Sequence, residues 1–189
     1  MLLELNLLAQ LTPLRRLNVK NIVLYFALVA TICFAIPARA SDAGRIAEVA
    51  ERGADVMPFD LKATTHIFTN TDRGGAQSVV AKDPSDLVQV DLVRRHLKDI
   101  QTQFKNGDFS GPSHIHGQEM PGLTQIKKAK PGQIEMTYIT VPGGAKVTYS
   151  TSVPALVKAL HTWFDAQLTD HGADAVAGHH HDHGSMMKR

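Results

Sequence analysis

The chain has 189 residues, 43% of them hydrophobic, with one cysteine, ten histidines and a formal charge of +2. A predicted leader over residues 1–40 leaves 149 residues, enough for one domain with its own core, and takes away Cys33, so the mature chain has no disulfide, thiolate ligand or cysteine nucleophile. With the leader go Arg15, Arg16, Lys20, Arg39 and Glu4, which turns the charge to about −1 and gives nucleic-acid binding no electrostatic footing.

The leader is read from three features in order. Arg15, Arg16 and Lys20 form a basic segment, Asn21 to Ile36 is an apolar run, and Pro37-Ala38-Arg39-Ala40 ends in the small-x-small pattern of a signal peptidase site. The run falls short of the roughly twenty residues a membrane span needs. The expectation is therefore an exported protein, periplasmic or secreted, with no stable membrane insertion after cleavage.

Residues 41–56 are expected to be an N-terminal arm or a short helix capped by Ser41 or Asp42, with Ile46 and Val49 on one side and Arg45, Glu48, Glu51 and Arg52 outward. Leu61 to Thr69 favours a strand, Asp72-Arg73-Gly74-Gly75 a turn, and Ala76 to Ala81 the returning strand. On this first strand His66 shares a face with Thr64 and Phe68. Asp83-Pro84 reads as a helix start, followed by an apolar stripe of Val90, Val93, Leu97, Ile100 and Phe104 with His96 at its edge.

Gly107 to Gly122, GDFSGPSHIHGQEMPG, reads as a loop because it carries four glycines and two prolines. On extended backbone the pair His114 and His116 would point to one side, near Glu119 and Met120, as metal ligands do. Pro121 to Ala129 is expected to form a short helix.

Gln133 to Val141 and Ala145 to Thr151 form a second predicted hairpin about Pro142-Gly143-Gly144. Ser152 and Pro154 open a second long helix through Leu156, Leu160 and Phe164 to Asp170. Here Asp165 is placed to orient His161, and His171 falls just past the end. Gly74-Gly75-Ala76 and Gly143-Gly144-Ala145 align as a weak internal repeat. The expected fold is α+β: two ββα units over residues 57–172 whose hairpins pair into a four-stranded antiparallel sheet, with two long helices on one face. Residues 173–189 have almost no large apolar side chains and read as a disordered tail.

That tail carries His179, His180, His181 and His183, a chelating cluster for a metal ion even without fixed structure. Six further histidines, His66, His96, His114, His116, His161 and His171, are spread over both units and the linking segment. Together with Met57 and Met120 they favour copper or zinc over harder cations. No Gly-x-Ser-x-Gly, His-Glu-x-x-His, phosphate-cradling loop or haem-attachment motif is present. Asp108 and Glu119, or Asp165 and Asp170, are the carboxylates available as bases beside a metal-bound water.

With Met57-Pro58-Phe59-Asp60-Leu61, Thr65-His66-x-Phe68, Gly107-Asp108-Phe109, Ile115-His116-Gly117, Met120-Pro121-Gly122-Leu123 and Leu160-His161-x-Trp163-Phe164-Asp165-Ala166-Gln167 in view, the chain resembles a family of small exported bacterial proteins. Its members are often labelled aspartate carbamoyltransferase. These residues do not support that label, since there is no Ser-Thr-Arg-Thr phosphate motif. The resemblance marks His66, His96, His116, His161 and His171 as the family-motif histidines and leaves His114 and the tail cluster particular to this chain.

Three functions follow as expectations: an exported copper- or zinc-binding protein with a domain site and a chelating tail, a small metal-dependent or acid–base enzyme using His116 and His161, and an interaction domain whose histidines are structural.

Overall fold

The computed structural model describes residues 38–179, with side chains from residue 43. The predicted leader up to residue 37 and the tail histidines His180, His181 and His183 lie outside the described residues. The elements in chain order are α1 (Ala38–Val56), β1 (Thr64–Thr71), β2 (Gly74–Ala81), α2 (Leu87–Lys105), α3 (Ser110–His116), α4 (Leu123–Ile126), β3 (Glu135–Val141), β4 (Gly144–Ser150), α5 (Pro154–His171) and β5 (Ala175–Ala177), with short 3-10 turns at Leu61–Ala63 and Gly172–Asp174. The class is α+β. Among the described residues no helix is long and apolar enough to cross a membrane.

The two hairpins form and join through β2 and β4, where Val79 pairs with Ala145 and Gln77 with Val147. Strand alternation then decides which side chains enter the core. Thr64, His66 and Phe68 of β1 are buried, as are Val79, Val147 and Tyr149 of the neighbouring strands. On that face lie α2, through Val93, Leu97 and Phe104, and α5, through Leu160, Trp163 and Phe164.

The sheet has five strands in the order β3-β4-β2-β1-β5, not four. β5 lies parallel to β1, with Ala175 opposite His66 and Ala177 opposite Phe68, and the Gly178 N–H donates to the Phe68 carbonyl at 2.8 Å. Small side chains were a poor guide to this segment, because an edge strand is held by backbone pairing and needs little apolar area of its own. Asp174, just before it, pairs with Lys62 and, at 3.7 Å, with Lys82. The domain therefore continues past residue 172.

Helix boundaries also differ from expectation. α1 runs from Ala38 through Ser41 and Asp42 without using them as caps. α2 begins one turn later than Asp83-Pro84: the Asp83 carboxylate accepts from the Ser85 N–H and hydroxyl in a turn, and Asp86 caps the helix by accepting from the Gln89 N–H at 3.1 Å. α5 starts at Pro154 beyond Val153, whose N–H donates to Thr151 Oγ1 rather than to Ser152. Its last residue is His171.

The segment expected to be a loop contains α3. Gly107 and Gly117, with φ of 77° and 91°, bracket that helix instead of interrupting it. Pro112 sits in its first turn, where a missing N–H costs no intrahelical bond. A helical backbone sends residues two apart in nearly opposite directions, so His114 is exposed and His116 buried.

Truncation after Gly178, which keeps β5 and its pairing with β1, should leave stability unchanged within about 0.5 kcal/mol. Truncation after Gly172 removes Asp174 and β5 and should cost about 2–3 kcal/mol in lost pairing and burial. Urea midpoints of the two truncated chains measure the difference, and equal midpoints would show that β5 contributes nothing.

Candidate functional site

Four histidines from four separate elements meet inside the domain: His66 from β1, His96 from α2, His116 from α3 and His171 from α5. They line one cavity of about 40 Å³ together with Met57, Gln77, Trp163 and Gln167, enough space for about three water molecules. His66 and His171 stack at 4.7 Å with their planes 10° apart, and His116 stands edge-on to His171 at 5.1 Å. Phe59 packs against both His66 and His96. A wider cleft of about 360 Å³ on the outer side shares Val56, His96 and Ile100 with this cavity.

One of the four rings has a fixed tautomer. His116 Nδ1 lies 2.8 Å from Asp170 Oδ2, and a carboxylate there holds the proton on Nδ1 and leaves the Nε2 lone pair free. Asp170 is itself held by Arg45, whose Nε donates to Oδ1 at 3.0 Å and whose Nη2 donates to Oδ2 at 2.6 Å. The same Nη2 donates to the His116 carbonyl at 2.7 Å. His66 Nδ1 is buried with no hydrogen-bond partner among the described residues. The indole Nε1 of Trp163 is likewise buried without a hydrogen-bond partner among the described residues.

Burial sets the charge state of the cluster. It pushes His96 and His171 down to about 4, with His116 adding to the effect on His171. His66 falls well below 6.5 through burial and its neighbours His171, His96 and His116. His116 is lowered by burial as well, although Asp170 pulls the other way. For Asp170, burial raises the carboxyl, but the hydrogen bonds from Arg45 and His116 together hold it below its ordinary value. At neutral pH the cavity thus presents four uncharged imidazoles beside one ionised, doubly bonded carboxylate.

The other histidines lie elsewhere. His114 is exposed and meets Asp55 at 3.1 Å, a surface contact worth little. His161 is not oriented by Asp165: its Nε2 lies 3.0 Å from the Thr71 carbonyl and 2.8 Å from that of Gly74, tying α5 to the β1–β2 turn. His179 is exposed, as is Glu119, while Met120 is 3% exposed within the core. Sequence reasoning placed Arg45 on the outer side of α1, whereas it turns to Asp170. Trp163 was absent from the apolar stripe read for the second helix and entered only within the motif of the resemblance.

Among the described residues no group of three or more His, Cys, Asp or Glu is arranged to hold a metal ion. The stacking of His66 on His171 gives one reason. A metal lies in the plane of each imidazole that binds it, and two nearly parallel planes held apart by ring contact do not share such a point. No family model, curated protein or solved structure matches this chain. The functional reading therefore rests on the chemistry of the cavity.

The depressed histidines make stability depend on pH with a defined sign. Above about 6.5 the rings are neutral folded and unfolded, so nothing is lost. As pH falls from there toward 4 the unfolded chain takes up protons that the folded one refuses, and stability declines. His171 alone accounts for a loss on the order of 3 kcal/mol over that window. Unfolding free energies at pH 7.5 and pH 5 should show the decline, and His171→Phe, which keeps a stacked ring, should flatten it. An unchanged slope in that variant would mean His171 titrates normally.

Proposed function

We propose that this chain is an exported acid–base catalyst acting on a small polar molecule in the four-histidine cavity, with His116 Nε2 as the proton-transferring atom. The observation that carries the reading is the buried His116 bonded to Asp170 at 2.8 Å, with Asp170 fixed in turn by Arg45. Asp170 keeps the ring in one tautomer and stabilises the imidazolium formed when Nε2 takes a proton. Arg45 positions the carboxylate and the backbone of His116 together. His161 takes no part, since its ring is engaged with backbone carbonyls.

The test is a turnover screen of the full chain against small amides, carbonyl compounds and hydrates. At least one should be converted, with a rate that is flat above about pH 6.5 and falls below it as His116 becomes protonated. His116→Gln should slow that reaction by about 100-fold or more. Asp170→Asn should lower kcat more than it raises KM, because it disturbs the tautomer rather than the space. A rate indifferent to His116→Gln, or no turnover of any compound, would overturn the reading.

One observation favours a second reading as a copper or zinc carrier: the Met57 thioether and four neutral imidazoles line the same cavity. It requires His171 to leave its stack on His66. Stoichiometric copper or zinc in a chain truncated after Gly178, lost on His116→Ala, would establish it. Absence of binding would leave any chelation to the tail.

A further inference from the structure

The outer edge of β3 is half of a hydrogen-bonded ladder. β3 ends the sheet in the order β3-β4-β2-β1-β5, and its register to β4 runs without a bulge from Glu135 opposite Ser150 to Val141 opposite Gly144. The two-residue turn Pro142-Gly143 joins the strands, so Val141 and Gly144 exchange hydrogen bonds and every second residue back along β3 does the same. The N–H and C=O groups of Met136, Tyr138 and Thr140 therefore point away from β4. Gln101 of α2 engages one of them, its Nε2 donating to the Met136 carbonyl at 2.9 Å. Among the described residues the backbone groups of Tyr138 and Thr140 have no partner. Exposed edges are ordinarily guarded by charges, proline or bulges. β3 has its one charge at its first residue and a proline only after its last, which leaves the middle of the edge unguarded.

We propose that this edge docks an extended acidic peptide segment, which adds a strand beside β3. The charge next to the edge decides the sign of the partner. Arg94, Lys98, Gln101 and Lys105 fall within about 60° of one another around α2, and each is placed along β3. Arg94 donates to the carbonyls of Gly144 at 3.1 Å and Val141 at 3.4 Å, and Lys98 Nζ lies 5.3 Å from the centre of the Tyr138 ring. Lys105 borders a cleft that it shares with Glu135, Met136 and Thr137 at the start of the strand. Among the described residues none of these three cations forms an ion pair. Carboxylates on an added strand would supply the missing partners.

The cleft gives the segment an anchor. It encloses about 690 Å³, is lined by Phe109, Ile126 and Met136, and carries three lysines against one carboxylate, Glu135. Strand addition takes affinity from the main chain and specificity from pockets of this kind, so one large apolar side chain belongs at the end of the segment nearest Met136. Other occupants fit worse. A second copy of this chain would bring its own Arg94, Lys98 and Lys105 against these, and like charges across an interface are unfavourable. An anionic lipid surface meets the cations but offers no ladder for Tyr138 and Thr140.

The probe is a blocked peptide of about eight residues, long enough to span β3, in which glutamate alternates with valine and phenylalanine stands at one end. It is titrated into the full chain while the backbone amides are followed by NMR. The expected result is a saturable shift of the Tyr138 and Thr140 N–H signals, with affinity that falls several-fold from about 50 to about 500 mM salt. A second peptide, methylated on the backbone nitrogens that would face β3, keeps every side chain and charge but loses its ladder donors, and should bind about 10-fold more weakly. Lys98→Glu, at an exposed helix position, should weaken the parent peptide by about 3- to 10-fold. No saturable shift up to about 1 mM overturns the proposal. Equal binding of the methylated peptide would leave charge alone, and equal binding of a peptide with lysine in place of glutamate would leave the backbone alone; each overturns it too. Dimerisation that shifts the same amides without peptide assigns the edge to a second copy, and vesicles of anionic lipid that shift them when the peptide does not assign the stripe to a membrane. Both of those results also defeat the proposal. The comparisons between peptides use the wild-type chain, so a variant that fails to fold does not obscure them.

Discussion

The carboxylate of Asp170 is the group on which the interior depends. It is bound from one side by Arg45 of α1 and from the other by His116 of α3, while its own backbone belongs to α5. A partly buried charge is tolerable only when its desolvation is met by good geometry, and here two donors on a guanidinium fork and one on an imidazole supply it. Removing any of the three would leave a charge or a lone pair without its partner in a region of little water. The same pairing locks the His116 tautomer, so the contact that holds three helices together also sets the chemistry of the ring.

Around that anchor the domain accepts an interior that is poorly satisfied by its own atoms. Among the described residues His66 Nδ1 and Trp163 Nε1 are buried without partners, and three of the four imidazoles stack or meet edge-on rather than forming hydrogen bonds with one another. Folded domains seldom leave such groups orphaned without a use for them. The gathering of four histidines about one small cavity is what distinguishes this part of the domain from the apolar core of Val147, Tyr149 and Phe164.

Local periodicity made much of this legible. The two hairpins, the stripe of α2 and the inward face of β1 that carries His66 follow from alternation and helical spacing, which tertiary contacts only reinforce. Features held by backbone pairing or by distant charges were not legible. β5 carries no large side chain, and the glycines around α3 read as breakers although they stand at its borders. Arg45 and Asp170 are 125 residues apart, and an arginine on a weakly amphipathic helix carries no mark of the carboxylate it will meet. The histidines were visible as a set, but composition does not reveal that His161 belongs to a turn and that His66, His96, His116 and His171 belong to a cavity.

The span between Arg45 and Asp170 also bears on when the site comes into being. Contacts of long sequence separation form late, because the intervening chain must first be ordered. A ribosome that has released α1, both hairpins and α3 still lacks the carboxylate that fixes His116, and the proton on that ring has no assigned nitrogen. The choice of Nε2 as the basic nitrogen is therefore made only once α5 has brought Asp170 to His116.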